Sequence, residues 1–182
     1  MNWTAVVPLK QGSDRKTRLA GVLSRAERIA LTDRMAKRLL SCLDQVPGIE
    51  RIVLLAPQAV EGRAWREDRG RGLNGELQAF RDDHPGEAVL VIHADLPTVS
   101  AGDIGALLEA AAAESIAIAP DRHGTGTNAL ALPAGVPFTF AFGAGSRAAH
   151  ERLAATRAAI VERPGLALDI DEPADLDLAG EI

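Results

Sequence analysis

The chain alternates between short, unbroken apolar runs and longer stretches in which apolar residues recur every three or four positions. The runs at 3–8 (WTAVVP), 51–56 (RIVLLA), 89–92 (VLVI) and 115–120 (SIAIAP) are rich in Ala and β-branched residues and lack alternation. Such runs read as strands buried on both faces, as in a parallel sheet. Between them the period changes. Ser24 with Glu27 forms a capping box that opens a helix carrying Ile29, Met35, Ala36, Leu39, Leu40, Leu43 and Val46, and Pro47-Gly48 ends it. A glycine-rich turn at 70–75 leads into a helix with Leu77 and Phe80, and Ser100 caps a helix through Leu107 and Leu108. Residues 58–72 are polar and arginine-rich, predicting a loop with a short edge strand. The pieces from Asn128 on predict a β-rich excursion with one antiparallel strand, a helix over 148–156, a short strand over 158–161 and a last helix opened by Pro173. This β-α-β alternation predicts a three-layer α/β/α sandwich around a mostly parallel, Rossmann-like sheet, in one domain spanning 1–182.

Asp95 ends the most apolar strand, and Pro97 stops that strand from continuing. Ligands of open α/β sheets sit beyond the carboxyl ends of strands. Asp95 is therefore either a site residue or simply the cap of a turn. Two further features favour a site. Directly after the first strand, residues 9–19 hold four cations, Gly12 and hydroxyl groups, a composition that can meet phosphates although its spacing is not that of a Walker loop. Asp169 and Asp171 point the same way if their segment is extended. Three carboxylates beside a phosphate-binding loop suggest Mg²⁺ and nucleotidyl transfer, because Mg²⁺ prefers oxygen ligands shared with substrate phosphates. Glycines and Ser146 ahead of a helix, in Phe142-Gly143-Ala144-Gly145-Ser146, offer a second anion site. His84, His93, His123 and His150 lack metal-ligand spacing.

Composition narrows the classes without choosing among them. At 182 residues, 47% hydrophobic and 25% charged, the chain resembles ordinary globular proteins. A net charge of −5 disfavours nucleic acid or an anionic membrane as partner. The single Cys42 excludes an internal disulfide and lies within a helical pattern, as a packed thiol would. No apolar run approaches a membrane span and no leader pattern is evident, so a cytoplasmic protein is expected.

Five motifs, PLKQGSDRKTRL, ADLP, APDRHGTGTNAL, FGAGSRAAH and LDIDEPADL, occur in order between residues 8 and 176. Together they resemble the 2-phospho-L-lactate, phosphoenolpyruvate and 3-phospho-D-glycerate guanylyltransferases of coenzyme F-420 biosynthesis. These are relatives of the molybdenum-cofactor guanylyltransferases with a nucleotide-diphospho-sugar transferase type of sheet. The resemblance implies transfer of GMP from GTP to the phosphate of a three-carbon phospho-acid, with release of pyrophosphate and a homodimeric assembly. It implies that Leu9, Lys10, Gly12 and Lys16 bind the nucleotide phosphates, with Asn74 and Gly75 near the base. Lys16 and Asp95 would be catalytic, and Asp95, Asp169 and Asp171 would hold Mg²⁺. Thr127, Gly143 and Ser146 would bind the acceptor acid. Ala144 stands where relatives often have proline, and the first loop is more charged than usual. A molybdenum-cofactor-type or other nucleotidyltransferase, or a non-catalytic nucleotide-binding domain, are the alternatives.

Overall fold

The computed structural model describes residues 1–10, 16–112 and 115–180. Its strands are β1 (Trp3–Pro8), β2 (Ile49–Ala56), β3 (Ala64–Glu67), β4 (Ala88–Ile92), β5 (Ile116–Pro120), β6 (Thr127–Leu132) and β7 (Ala158–Ile160). Its α-helices are α1 (Arg25–Leu43), α2 (Gly72–Asp83), α3 (Ala101–Ala111), α4 (Ser146–Ala154), α5 (Pro164–Ala167) and α6 (Pro173–Ala179). The strands form one sheet in the order β3-β2-β1-β4-β6-β5-β7. Every neighbouring pair is parallel except those made by β6, which runs antiparallel to β4 and β5.

Alternation along the strands sends side chains to two opposite cores. Trp3, Ala5 and Val7 of β1, with Ala88, Leu90 and Ile92 of β4, pack with Leu39 and Leu43 of α1 and Ile104 and Leu107 of α3. Val6, Val89 and Val91 face the other way, onto Leu77 and Phe80 of α2 and onto Phe138, Phe140 and Phe142. Both faces of the sheet are covered, which is why the strands read as unbroken apolar runs. The expected three-layer α/β/α sandwich is the fold, and Cys42 lies against the α1–α3 core with its thiol 3.3 Å from the carbonyl of Val99.

Most sequence boundaries hold to within a few residues. The capping box predicted at Ser24 forms, and Ser100 caps its helix as expected, there too through a capping box, with Asp103. The stretch 166–170 differs. Pro164 starts a helical turn, α5, and only Leu168 onward is extended. The antiparallel strand is central in the sheet, where its six residues are all buried. The aromatic residues that follow it, 136–142, form an irregular cover rather than more strand.

One topological detail positions the site. The chain passes from β1 to β2 on one side and later returns to lay β4 on the other side of β1. The connections after β1 and β4 run toward opposite edges of the sheet, to β2 and to β5, and so part at the carboxyl ends of these two strands, although α1 and α3 pack on the same face.

Candidate active site at the β1–β4 crevice

Asp95 follows β4 by three residues, and Asp169 and Asp171 approach it from a distant part of the chain. The backbone N–H of Ile170 donates to the Asp95 carbonyl at 3.2 Å, pinning the two segments together. Ile170 is fully buried with Leu19, Leu31 and Met35. Its neighbours in the extended segment are thereby turned outward to the same side. One carboxylate oxygen from each of Asp95, Asp169 and Asp171 lies within 4.8 Å of the others.

Lys16 completes this cluster. Its Nζ is 2.5 Å from Asp95 Oδ2 and 2.8 Å from Asp171 Oδ1, with only 10% of its side chain exposed. The Lys16 backbone is left-handed, at φ 51° and ψ 49°, a conformation that costs a non-glycine residue about 1–2 kcal/mol. Strain of this kind is found where a side chain must be aimed. Burial alone would push the Lys16 ammonium down, but the charges and hydrogen bonds of Asp95 and Asp171 outweigh it and the group titrates higher than usual. Burial pushes Asp95 up, yet the Lys16 and His93 charges bring its carboxyl below the ordinary range. Asp169 goes the opposite way. Burial and the neighbouring Asp95 and Asp171 charges raise it, against a hydrogen bond from Asn128.

These residues fit a divalent cation. The donor set is all oxygen, and one lysine leaves three carboxylates under-compensated. Asp95 Oδ1 is moreover a buried acceptor with no partner among the described residues.

The residues expected to bind the acceptor, Thr127, Gly143 and Ser146, are linked to this cluster through their neighbours. Asn128, next to Thr127, donates to Asp169 Oδ1 at 3.4 Å and to the carbonyls of Leu166 and Ala167 at 3.0 and 3.1 Å. His93, two residues before Asp95, has its ring centroid 5.3 Å from that of Phe142, the residue immediately before Gly143, with the rings tilted by 39°. Gly143 and Gly145 both have positive φ, 129° and 69°, which brings the backbone round ahead of α4 without a Cβ clash. Two α4 amides are already engaged, Ser146 N–H by the Gly143 carbonyl and Arg147 N–H by the Thr125 carbonyl. The loop's capacity for an anion therefore falls on the glycine amides and the Ser146 hydroxyl rather than on a fully open helix end.

Comparisons with known proteins show the family of the chain. Residues 3–182 match the family model described as guanylyl transferase CofC like. The chain belongs to the CofC-like guanylyltransferases. It is 38% identical to the phosphoenolpyruvate guanylyltransferase of Sphaerobacter thermophilus, over 99% of this chain and 94% of that one. It is 37% identical to the 3-phospho-D-glycerate guanylyltransferase of Phenylobacterium zucineum, over 94% of this chain and 86% of that one. In fold it is similar to a Desulfovibrio desulfuricans G20 protein ascribed to the nucleotide-diphospho-sugar transferases, with a TM-score of 0.74 at 15% identity, covering 98% of this chain and 86% of that one. The protein is thus a nucleotidyltransferase enzyme.

In this guanylyltransferase the nucleotide-side residues are spread more widely than their spacing implied. Leu9 is half-buried, its N–H bonded to the Leu55 carbonyl at 2.8 Å, and Lys10 is exposed. Gly12 lies outside the described residues. Asn74 and Gly75 sit inside the first turn of α2 rather than in the turn before it. The Asn74 carboxamide is engaged by the backbone of Phe142 in both directions.

Three residues that sequence reasoning passed over shape the site. His150, fully buried in α4, accepts from Ala141 N–H at Nε2 (3.1 Å) and lies 3.0 Å from Thr127 Oγ1 at Nδ1. A backbone N–H can only donate, so Nε2 is the acceptor and the ring proton sits on Nδ1, donating to Thr127. The Thr127 hydroxyl keeps its own proton for another oxygen. Burial, with the nearby His93, holds the His150 pKa down at about 4. Asp175 in α6 accepts the N–H groups of Asp171 and Glu172 (2.8 and 2.7 Å) and pairs with Arg122 at 2.5 Å. Glu76 in α2, fully buried, accepts from the N–H groups of Arg69 and Arg71. Only Asp175 left a sequence signal, as an acid three positions into a proline-started helix.

Proposed function

We propose that this enzyme transfers GMP from GTP to the phosphate of a three-carbon phospho-acid, releasing pyrophosphate, with Mg²⁺ held by Asp95, Asp169 and Asp171. The observation that carries the reading is the meeting of two dissimilar half-sites. A carboxylate triad with Lys16 adjoins a Thr127–Gly143–Ser146 cradle, joined through the Asn128–Asp169 hydrogen bond and the tilted ring contact of His93 with Phe142. A phosphate oxygen of the acceptor attacks the α-phosphorus of GTP, and the bond to the bridging β-phosphate oxygen breaks. The nucleophile is already anionic at neutral pH, so no general base is needed. The metal would neutralise charge on the reacting phosphates. Lys10 and Lys16 supply further positive charge, while Thr127 and Ser146 orient the acid by hydrogen bonding, so that catalysis is mainly positioning and electrostatics.

Relatives of nearly equal identity are named for phosphoenolpyruvate and for 3-phospho-D-glycerate. Both acids, like 2-phospho-L-lactate, present one phosphate and one carboxylate. We assign the chain to coenzyme F-420 biosynthesis as a homodimer in the cytoplasm, a reading supported by its motif resemblance to that family; among the described residues no helix is long and apolar enough to cross a membrane. The deciding assay follows pyrophosphate release from GTP, and from ATP and CTP for contrast, with Mg²⁺ and each of the three acids. Release with GTP and at least one acid is expected. No release with any of them would sink the proposal.

A further inference from the structure

The first turn of α2 carries a side chain that reaches across to the opposite half-site. Asn74 Nδ2 donates to the Phe142 carbonyl at 2.9 Å, and Phe142 N–H donates to Asn74 Oδ1 at 2.7 Å. A primary amide that gives and accepts at one residue copies the pairing of neighbouring strands, and it fixes both the position and the rotation of that peptide. Phe142 is the residue before Gly143, whose φ of 129° begins the turn into α4. From the other side, His150 holds the N–H of Ala141. The irregular segment ahead of the cradle is therefore pinned at consecutive residues by two side chains, one from α2 and one from α4. Without Asn74 the backbone N–H and C=O of Phe142 would both lose the hydrogen-bond partner shown here, leaving the residue held by the contacts of its ring.

We infer that Asn74 is a positioning residue for the acceptor cradle: its carboxamide sets the Phe142 peptide so that Gly143 and Ser146 face the incoming acid. The inference rests on the guanylyl-transfer reading for the identity of the ligand. It differs from the expectation that Asn74 reads the nucleotide base, because one donor and one acceptor site of its amide are engaged by Phe142 and hold the side chain toward the α4 half-site. Two positions on, Glu76 turns to the other side of the helix, about 200° round, and holds the turn at Arg69 and Arg71. The nucleotide-facing turn is thus organised by a different side chain.

The test compares Asn74→Ala and Asn74→Asp with wild type in full kinetics for both substrates, together with amide hydrogen exchange. Asn74→Asp keeps the acceptor for Phe142 N–H but loses the donor to its carbonyl, so it should lie between the other two. The acceptor KM is expected to rise about tenfold in Asn74→Ala, with the GTP KM changed less than about twofold. Exchange should quicken in 141–146 and stay unchanged in 69–72. A rise in GTP KM or a loss of discrimination against ATP, with the acceptor KM unmoved, would overturn the assignment in favour of base reading. If wild type itself shows no turnover, guanylyl transfer is what fails. The exchange data then decide the clamp alone, faster exchange at 141–146 supporting it and unchanged exchange refuting it.

Discussion

Lys16 and Asp95, 79 residues apart in sequence, meet through a 2.5 Å ion pair at the crevice between β1 and β4. The same ammonium lies 2.8 Å from Asp171, so a monovalent charge stands among the carboxylates that suit a divalent one. A cation at the proposed site would share two ligands with the lysine. Its binding would compete for Asp95 and Asp171 and leave the Lys16 ammonium free for the phosphates of the proposed substrate.

Replacing Lys16 should therefore split two properties. Lys16→Met removes the competing charge, and isothermal titration should show Mg²⁺ binding tightened several-fold. Turnover should fall at least about tenfold, since the same charge is lost to the transition state. Weaker metal binding in this variant would show that Lys16 supports the metal site instead of competing for it.

Asp95→Asn should leave the fold intact and reduce metal-dependent pyrophosphate release at least about a hundredfold. Circular dichroism and the melting curve check the fold, and chelation of wild type should mimic the kinetic loss until Mg²⁺ or Mn²⁺ is restored. Full activity in the variant would remove Asp95 from the metal site.

Asp169 makes a less intuitive prediction. Its folded pKa is raised by burial and by Asp95 and Asp171, so the folded metal-free protein holds that proton more tightly than the unfolded chain does. The sign is that of a destabilising carboxylate: as pH rises past the ordinary carboxylate range, its ionisation costs stability. Asp169→Asn should raise the melting temperature of the metal-free protein at pH 7 while abolishing the stabilisation that Mg²⁺ gives wild type. A variant that melts lower without metal would contradict the electrostatic account.

At the acceptor cradle, Ser146→Ala should raise the acceptor KM by about tenfold and change the GTP KM little. Thr127→Val, nearly isosteric, should behave likewise, because His150 already occupies the hydroxyl as an acceptor and leaves its proton for the acid. The reverse ranking of KM effects would move both residues to the nucleotide side.

His150 predicts an acid limit to stability. Its folded pKa of about 4 lies below the ordinary histidine value, so the unfolded chain binds the proton more readily. The stability it contributes is present above about pH 6.5 and is lost as pH falls toward 4, by on the order of 3 kcal/mol in total. Urea unfolding between pH 7 and 4 should show this slope in wild type and a shallower one in His150→Gln. Parallel slopes would mean that other groups carry the acid sensitivity.

Much of this was legible in the sequence because it depends on local chemistry. Unbroken apolar runs need burial on both faces, which predicts the sandwich; Ser24–Glu27 and Ser100–Asp103 close their own capping boxes. Asp95, which by itself could equally cap a turn, could be singled out because a basic loop and the Asp169–Asp171 pair gave it partners, and the five motifs carried the family. Tertiary structure alone decided the partnerships. Nothing in the spacing brings Ile170 N–H to the Asp95 carbonyl, and that contact converts two remote aspartates into one cluster with Asp95. His150 looked idle because its role is to orient Thr127, a second residue 23 positions away. Asn74 is expected near the base because it follows a glycine-rich turn, and its two hydrogen bonds to Phe142, 68 residues on, leave no trace in the sequence. Propensity and pattern are set within a few residues, whereas the direction of a buried hydrogen bond is set only when distant backbone groups must find partners away from water.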